Sequence, residues 1–355
     1  MLNPAHDKGC LDAETLAAYL DGLLSRDAIG RADHHIDHCR TCRGELSALA
    51  ATHSLPAGEP YVVIEGTAIE GRLGRYVVLR ELGRGSMGVV VRAYDPELAR
   101  AVAVKILTPR PSEARDARER LRREAQAMAR MTHPNVVRVY DVATHGDSLC
   151  IAMELLEGET LRDFVRTPRP WRETLAICLL AGRGLAAAHA AKLVHGDYKP
   201  ENVLVAADGR VAISDLGLAH EVGHPALALA GTPAYMAPEL FRGEPATDAS
   251  DQFSYCVATY EALHGERPFA GDTMQEVRAQ IVAGVLRDPP ASHRVPAWLR
   301  RVLVRGLSTD PAARFGSLPE LLERLEAGPP SPLGIRIAAL WANWIRADGW
   351  LRGRR

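Results

Sequence analysis

The chain has 355 residues, 47% of them apolar and 25% charged, with a formal net charge of −1 and a pI near 6.9. That mixture supplies a large core and room for about two domains, and the balanced charge gives no electrostatic reason to expect nucleic-acid binding. The polar start Met1–Asp7 has no secretory core behind it, and no run approaches about eighteen uncharged apolar residues, so the expectation is a cytoplasmic protein without a membrane span.

In chain order, residues 1–50 read as a small all-α module. Asp12 is placed to cap a helix with Leu16, Leu20, Leu23 and Leu24 on one face, and Ser25 to cap a second helix through Ile29 to His38. His35-x3-Cys39-x2-Cys42 sets one imidazole and two thiols at i, i+4 and i+7, a stripe along a helix or helix end, and Cys10 can complete a set of four. A reducing compartment argues against disulfides, and three thiolates with one imidazole suit tetrahedral Zn²⁺. His34 and His38 point off that stripe. A unit this small needs such a staple, and chelation is expected to unfold residues 10–50 while leaving the function of the rest of the chain largely intact. Cys150, Cys178 and Cys256 lie in apolar runs and read as buried hydrophobes.

Residues 51–72 read as a linker rich in Gly and Pro, with one short strand at Val62–Ile64. Strand-like runs then follow at Tyr76–Leu79, Val89–Val91, Val102–Val104, Val136–Tyr140 and Leu149–Met153, with an Arg/Glu-rich helix from about Arg115 to Met131 between the third and fourth. Beyond Leu161 the pattern is mostly helical, clearest at Ala176–Ala190 and Gln252–His264. In the segment 328–355, Ile337, Leu340, Trp341, Trp344 and Ile345 share one helical face among arginines. Such a stripe suits docking on the catalytic lobe or a partner, the commoner case, or an interfacial anchor on a membrane surface.

The chemistry concentrates in His195-Gly196-Asp197-Tyr198-Lys199-Pro200-Glu201-Asn202. One loop there offers a proton acceptor, a cation and a metal ligand, the set needed to move a phosphoryl group from a metal–nucleotide to a hydroxyl. Asp215-Leu216-Gly217 adds a second metal ligand. Upstream, Gly83-x-Gly85-x-x-Gly88 lets backbone N–H groups approach phosphates, and Lys105 closes the run Ala101–Val104, an odd place for a charge without a partner. In this order and spacing the motifs resemble the eukaryotic-like Ser/Thr protein kinases of bacteria, from about Leu73 to Leu325.

The resemblance implies an α+β protein kinase fold over residues 73–327, a β-rich N-lobe and a helical C-lobe, preceded by the all-α zinc module. It implies ATP and Mg²⁺, with Asp197 as base, Lys199 neutralising the transferring phosphate, and Asn202 and Asp215 holding Mg²⁺. Lys105 would hold the α- and β-phosphates and pair with Glu124, with Glu119 as the rival. Leu82, Val90, Ala103, Met153, Glu154, Leu156 and Leu204 would surround adenine. Gly231–Glu239 resembles a substrate-docking segment, in which Thr232 with Lys199 points to Ser/Thr acceptors on protein substrates; Glu239 would pair with Arg314, and Asp251 would brace the catalytic loop. Two features depart from the family: Gly196 replaces the usual Arg before the catalytic Asp, and no Ser, Thr or Tyr lies between Leu216 and Gly231. The His-x3-Cys-x2-Cys segment resembles the zinc-binding anti-sigma-factor domain, which implies a sigma factor or other partner. Two alternatives follow: a pseudokinase scaffold, or a partner-binding module with a regulatory kinase-like domain.

Overall fold

The computed structural model describes residues 10–21, 23–52, 62–64, 67–69, 71–85, 88–107, 122, 125–145, 148–216, 233–290 and 295–328. Glu119, Glu124, Thr232 and the Trp/Arg-rich tail lie outside the described residues. Among the described residues no helix is long and apolar enough to cross a membrane. The chain divides into two compact units, one of residues 1–114 with 139–155 and one of residues 115–138 with 156–355.

The first unit is built on strands β3 (Arg72–Leu73), β4 (Tyr76–Gly85), β5 (Gly88–Asp95), β6 (Arg100–Leu107), β7 (Val139–His145) and β8 (Ser148–Glu154), preceded by an antiparallel ribbon of β1 (Val62–Ile64) and β2 (Thr67–Ile69). The six form one antiparallel sheet in the order β3-β4-β5-β6-β8-β7. The expected strand at Val136–Tyr140 begins only at Val139, because Val136 bridges Ile213 in the second unit instead. β4 carries one extra residue between Val78 and Arg80 and another between Glu81 and Gly83. Such bulges bend and twist a strand, here where it enters the glycine turn.

Alternation along these strands makes two faces. Val78, Val89, Val91, Ala93, Val102, Val104 and Ile106 form one core, while Val77, Leu79 and Tyr94 turn to the other side. That second face is covered by three helices, α1 (Ala13–Leu20), α2 (Arg26–His38) and α3 (Arg40–Thr52), whose Leu16, Tyr19, Leu20, Ile29, Ala32, Ile36, Leu46 and Ala50 complete a shared core. The module and the strands bury the same apolar surface, which bears on the expectation that residues 10–50 unfold on chelation with the function of the rest of the chain largely intact.

The caps fall where the sequence puts them, with Asp12 accepting from Thr15 N–H at 2.7 Å and Ser25 from Ala28 N–H at 3.3 Å. One local expectation changes: Leu23 is 76% exposed rather than on the buried stripe, because α1 ends at Leu20 and helical spacing no longer applies beyond it. Of the two placements open for the metal-ligand stripe, a helix or a helix end, the structure has the second: α2 stops at Cys39, whose backbone is extended (φ −107°, ψ 106°), and a third helix begins at Arg40.

In the second unit, the helices Trp171–Ala190, Asp248–His264 and Leu318–Ala327 are buried along their facing sides, and residues 125–130 of the Arg/Glu-rich segment are helical. A three-stranded sheet, β11 (Val211–Ile213)-β10 (Val203–Ala206)-β9 (Gly158–Thr160), brackets the catalytic loop. Cys150, Cys178 and Cys256 are buried as free thiols.

Candidate active site and metal cluster

In the first unit, Gly83 and Gly85 end β4 and Gly88 opens β5, with Gly83 opposite Val90 and Gly85 opposite Gly88. Gly88 has φ +142°, and a Cβ there would lie 2.0 Å from the Ile106 carbonyl oxygen. That approach to backbone leaves nothing to give way. Gly88→Ala is expected to cost about 1–3 kcal/mol in a strained backbone, read by urea unfolding. Gly83→Ala, where an added Cβ meets nothing within 4 Å, is the matched control.

Lys105 lies not on an edge but in mid-sheet, between Val90 of β5 and Ile151 of β8, and it is 5% exposed. A charge that deep persists only with compensating partners. Ala103 and Met153 are neighbours across β6 and β8, and Glu154 faces Val102. Leu82 stays partly exposed at the end of β4.

In the second unit the catalytic loop is fixed from behind by Asp251, in the first turn of the helix Asp248–His264. Thr247 and Ser250 form a reciprocal capping box that sets this turn. The Asp251 carboxylate accepts the backbone N–H of His195 at 2.7 Å and of Gly196 at 2.8 Å, and His189 Nε2 lies 2.8 Å away. Gly196 has φ +74°, a left-handed backbone that glycine adopts without penalty.

On this loop Lys199 Nζ donates to Asp197 Oδ2 at 2.5 Å, and the Asn202 side-chain amide donates to the Asp197 carbonyl at 2.8 Å. The β10–β11 register sets Val203 opposite Ile213, so Asn202 and Asp215 follow at the same end of the hairpin, and Ser214 N–H donates to the Asn202 carbonyl at 2.9 Å. Asp215 has φ +60°, an uncommon conformation for a non-glycine residue that marks a constrained position. Leu204 lies in β10 between Thr160 and Ala212, and Leu156 is half-buried just before β9. Two oxygen-bearing side chains at one hairpin end, beside a carboxylate held by a lysine, fit a hard divalent ion shared with phosphate.

At the end of residues 233–239, Arg314 Nη1 and Nη2 donate to the two Glu239 oxygens at 2.7 Å each, both side chains buried. A second cluster escaped the sequence reading. Arg162 donates to Glu201 at 2.8 Å, to Glu261 at 2.8 Å and to the Tyr235 hydroxyl, and that hydroxyl donates to Glu261 at 2.5 Å. It joins the loop 195–202, the segment 233–239 and the helix Asp248–His264. Its partners are 39, 99 and 73 residues away from Arg162, so no local pattern announces it.

The N-terminal ligands converge. Cys10, His35, Cys39 and Cys42 present donor atoms within 4.8 Å of one another. Cys10 Sγ lies 3.8 Å from Cys39 Sγ, and His35 Nε2 lies 3.2 Å from Cys42 Sγ. Zn–S bonds of about 2.3 Å in a tetrahedron give S···S edges of about 3.8 Å, so the set fits such an ion. The Cys39 thiol is lowered to about 7, chiefly by the Cys42 backbone N–H, whereas burial pushes the Cys42 thiol up to about 12. His38 instead turns its Nδ1 to the His34 carbonyl at 2.7 Å.

Fold and loop chemistry together are those of the phosphotransferases with a β-sheet N-lobe and a helical C-lobe. Known proteins narrow this: the protein kinase domain family matches residues 76–324, more than half of the chain, and the chain belongs to that family. Serine/threonine-protein kinase PknL of Mycobacterium tuberculosis is 35% identical over 297 residues, 78% of this chain and 74% of its own. PknA of the same organism is 36% identical over 275 residues, 73% of this chain and 63% of its own. PknD is 32% identical over 265 residues, and the match spans only 39% of its length. The crystal structure of the Mycobacterium tuberculosis PknI kinase domain matches with a TM-score of 0.58 at 29% identity, covering 74% of this chain and 98% of that one.

Proposed function

We propose that this chain is an ATP-dependent Ser/Thr protein kinase whose catalytic part is residues 73–327. The observation that carries the reading is the Asp197 carboxylate, held by Lys199 on a loop whose backbone is anchored to Asp251. Mg-ATP would supply the phosphoryl donor and the charge neutralisation at its phosphates. Asp197 orients the acceptor hydroxyl and takes its proton, Lys199 offers a cation beside it, and Asn202 and Asp215 offer the oxygen ligands. Lys105, with Glu124 as its expected ion-pair partner, positions the α- and β-phosphates beneath the Gly83–Gly88 turn. On the kinase resemblance, Leu82, Val90, Ala103, Met153, Glu154, Leu156 and Leu204 would line the base. A pseudokinase scaffold is the weaker alternative because every charged or metal-binding position of the set is retained. Transfer of labelled phosphate from Mg-ATP to Ser/Thr peptides, compared with Asp197→Asn, is the test.

Activity should not require phosphorylation of the loop between Leu216 and Gly231, which has no acceptor hydroxyl. The neighbouring segment is held by internal contacts, Tyr235 with Arg162 and Glu261, and Glu239 with Arg314. Phosphatase-treated and untreated enzyme are expected to turn over within about twofold of each other, with loss of activity pointing to a required phosphosite elsewhere, such as Thr232.

Cys10, His35, Cys39 and Cys42 are assigned to one structural Zn²⁺, with all four positions taken by protein ligands. The wild type should carry one zinc per chain and Cys39→Ser substantially less. A sigma factor or another protein, the partner suggested by the anti-sigma resemblance, would have to bind faces of α1–α3 other than those spent on Val77, Leu79 and Tyr94. Pull-down with the full chain tests that role.

A further inference from the structure

The contact between the helical module and the sheet is more than apolar. Arg92 and Tyr94 alternate with Val91 and Ala93 along β5 and face the helices. Arg92 is 2% exposed, forms an ion pair with Asp33 of α2, and donates to the Tyr19 hydroxyl of α1 at 3.4 Å; that hydroxyl donates to Asp33 at 2.6 Å. Beside this triad, Ser47 of α3 meets the Tyr94 hydroxyl at 3.1 Å, and Arg72 of β3 donates to the Ala50 carbonyl at the far end of α3. Each of the three helices therefore has a polar anchor on the sheet.

The metal cluster draws on the same helices. Cys10 precedes α1, and the adjacent Leu11 packs on the shared core. His35 lies two residues from Asp33 and next to Ile36, while Cys42 stands one helical turn before Leu46. Helices of 8, 13 and 13 residues are too short to persist alone. Four ligands from three chain segments, joined through one ion, would tie them together in addition to the core they share with the sheet.

We propose that the Cys10/His35/Cys39/Cys42 cluster is a clamp on the nucleotide-binding sheet: metal bound there keeps α1–α3 seated on Val77, Leu79, Arg92 and Tyr94, and its removal loosens β4 and β5. This rests on the metal assignment above. The physical link is mass action, since an ion that binds only the assembled helices stabilises whatever surface those helices cover. The strands so covered carry Gly83, Gly85 and Gly88 at their other ends. Loss of metal therefore reaches the phosphate-binding turn without a ligand touching it.

The test uses the full chain. Metal content, amide hydrogen exchange and affinity for a fluorescent ATP analogue are measured before and after a zinc-selective chelator that leaves Mg²⁺ in place. Chelation is expected to speed exchange in peptides spanning 76–95 at least about tenfold, with little change in 171–190, because local opening follows lost packing, and to weaken analogue binding. Asp33→Asn cuts the buried ion pair without removing a ligand. It should retain stoichiometric zinc yet exchange faster in 76–95. Zinc-loaded protein whose 76–95 exchange is unchanged by chelation overturns the clamp and leaves the metal assignment standing. Wild type purified without zinc overturns the metal assignment, and the clamp with it. Asp33→Asn with wild-type protection in 76–95 shows that the polar triad does not seat the helices, which also overturns the proposal.

Discussion

Asp197→Asn is expected to fold normally, bind ATP with near-wild-type affinity and transfer phosphate at least about a hundredfold more slowly, the usual cost of losing a general base. Asn matches Asp in shape and keeps an oxygen where Lys199 donates, at 2.5 Å in the wild type. The Asn202 amide donates to the backbone carbonyl of residue 197, which the substitution leaves in place. The loop's anchors are backbone N–H groups of His195 and Gly196 on Asp251, also untouched. What changes is the negative charge of the side chain and, with it, the ability to take a proton. Single-turnover transfer at saturating Mg-ATP reads the chemical step, and nucleotide titration reads binding. Lys105→Met is the companion: it fits the same slot in mid-sheet but should weaken productive positioning of the phosphates. Near-wild-type turnover in either variant would remove that residue from its role.

The motifs proposed to carry phosphoryl transfer stand out in the sequence because that chemistry demands particular side chains at short, fixed spacings. Asp197, Lys199 and Asn202 fall within six residues, and the β10–β11 hairpin that carries Asp215 to the same end is itself a local structure. The caps at Asp12 and Ser25 were legible for the same reason. What the sequence concealed depends on distant partners. Arg92 sits among Val89, Val91 and Ala93, where alternation alone gives an apolar face and a solvent-facing Arg. The three helices of residues 13–52 make that second face a buried one, and Asp33 and Tyr19, the latter 73 residues away, partner Arg92 there. The break at Cys39 was hidden because ligands spaced i, i+4, i+7 are compatible with one helix as well as with a helix end. Here convergence on Cys10 accompanies an extended residue and a new helix. Gly196 read as the loss of an Arg; its backbone at φ +74° gives the glycine a positive structural reason to be there.

Arg314→Ala is expected to be among the most destabilising single changes in this chain, by about 3–5 kcal/mol, the usual cost of stranding one member of a buried ion pair. The Arg314 side chain is 0% exposed and Glu239 4%. Its two terminal nitrogens each meet a Glu239 oxygen at 2.7 Å, a bidentate geometry only the planar guanidinium provides. It also donates to the Ala249 carbonyl at 2.7 Å and the Ser308 carbonyl at 2.9 Å, and lies over the Phe253 ring at 5.1 Å. Truncation thus leaves a buried carboxylate without its counter-charge, two carbonyls without this donor, and a cavity beside Phe253. The thermal midpoint should fall by roughly 10 °C, at about 2–4 °C per kcal/mol for a domain of this size. Arg314→Lys should recover only part of the loss, because an ammonium cannot make both bonds in one plane. The pair Arg314→Met with Glu239→Leu separates the two contributions: if the cost is chiefly the stranded charge, the double variant will be more stable than Arg314→Ala, since apolar replacement of both partners removes the charge that has to be buried. Because Glu239 ends the segment that begins at Gly231, the single variant should also raise KM for a protein substrate more than KM for ATP. A change of under about 1 kcal/mol in Arg314→Ala, an ordinary value for an unremarkable site, would mean that this ion pair does not hold the docking segment to the helical unit.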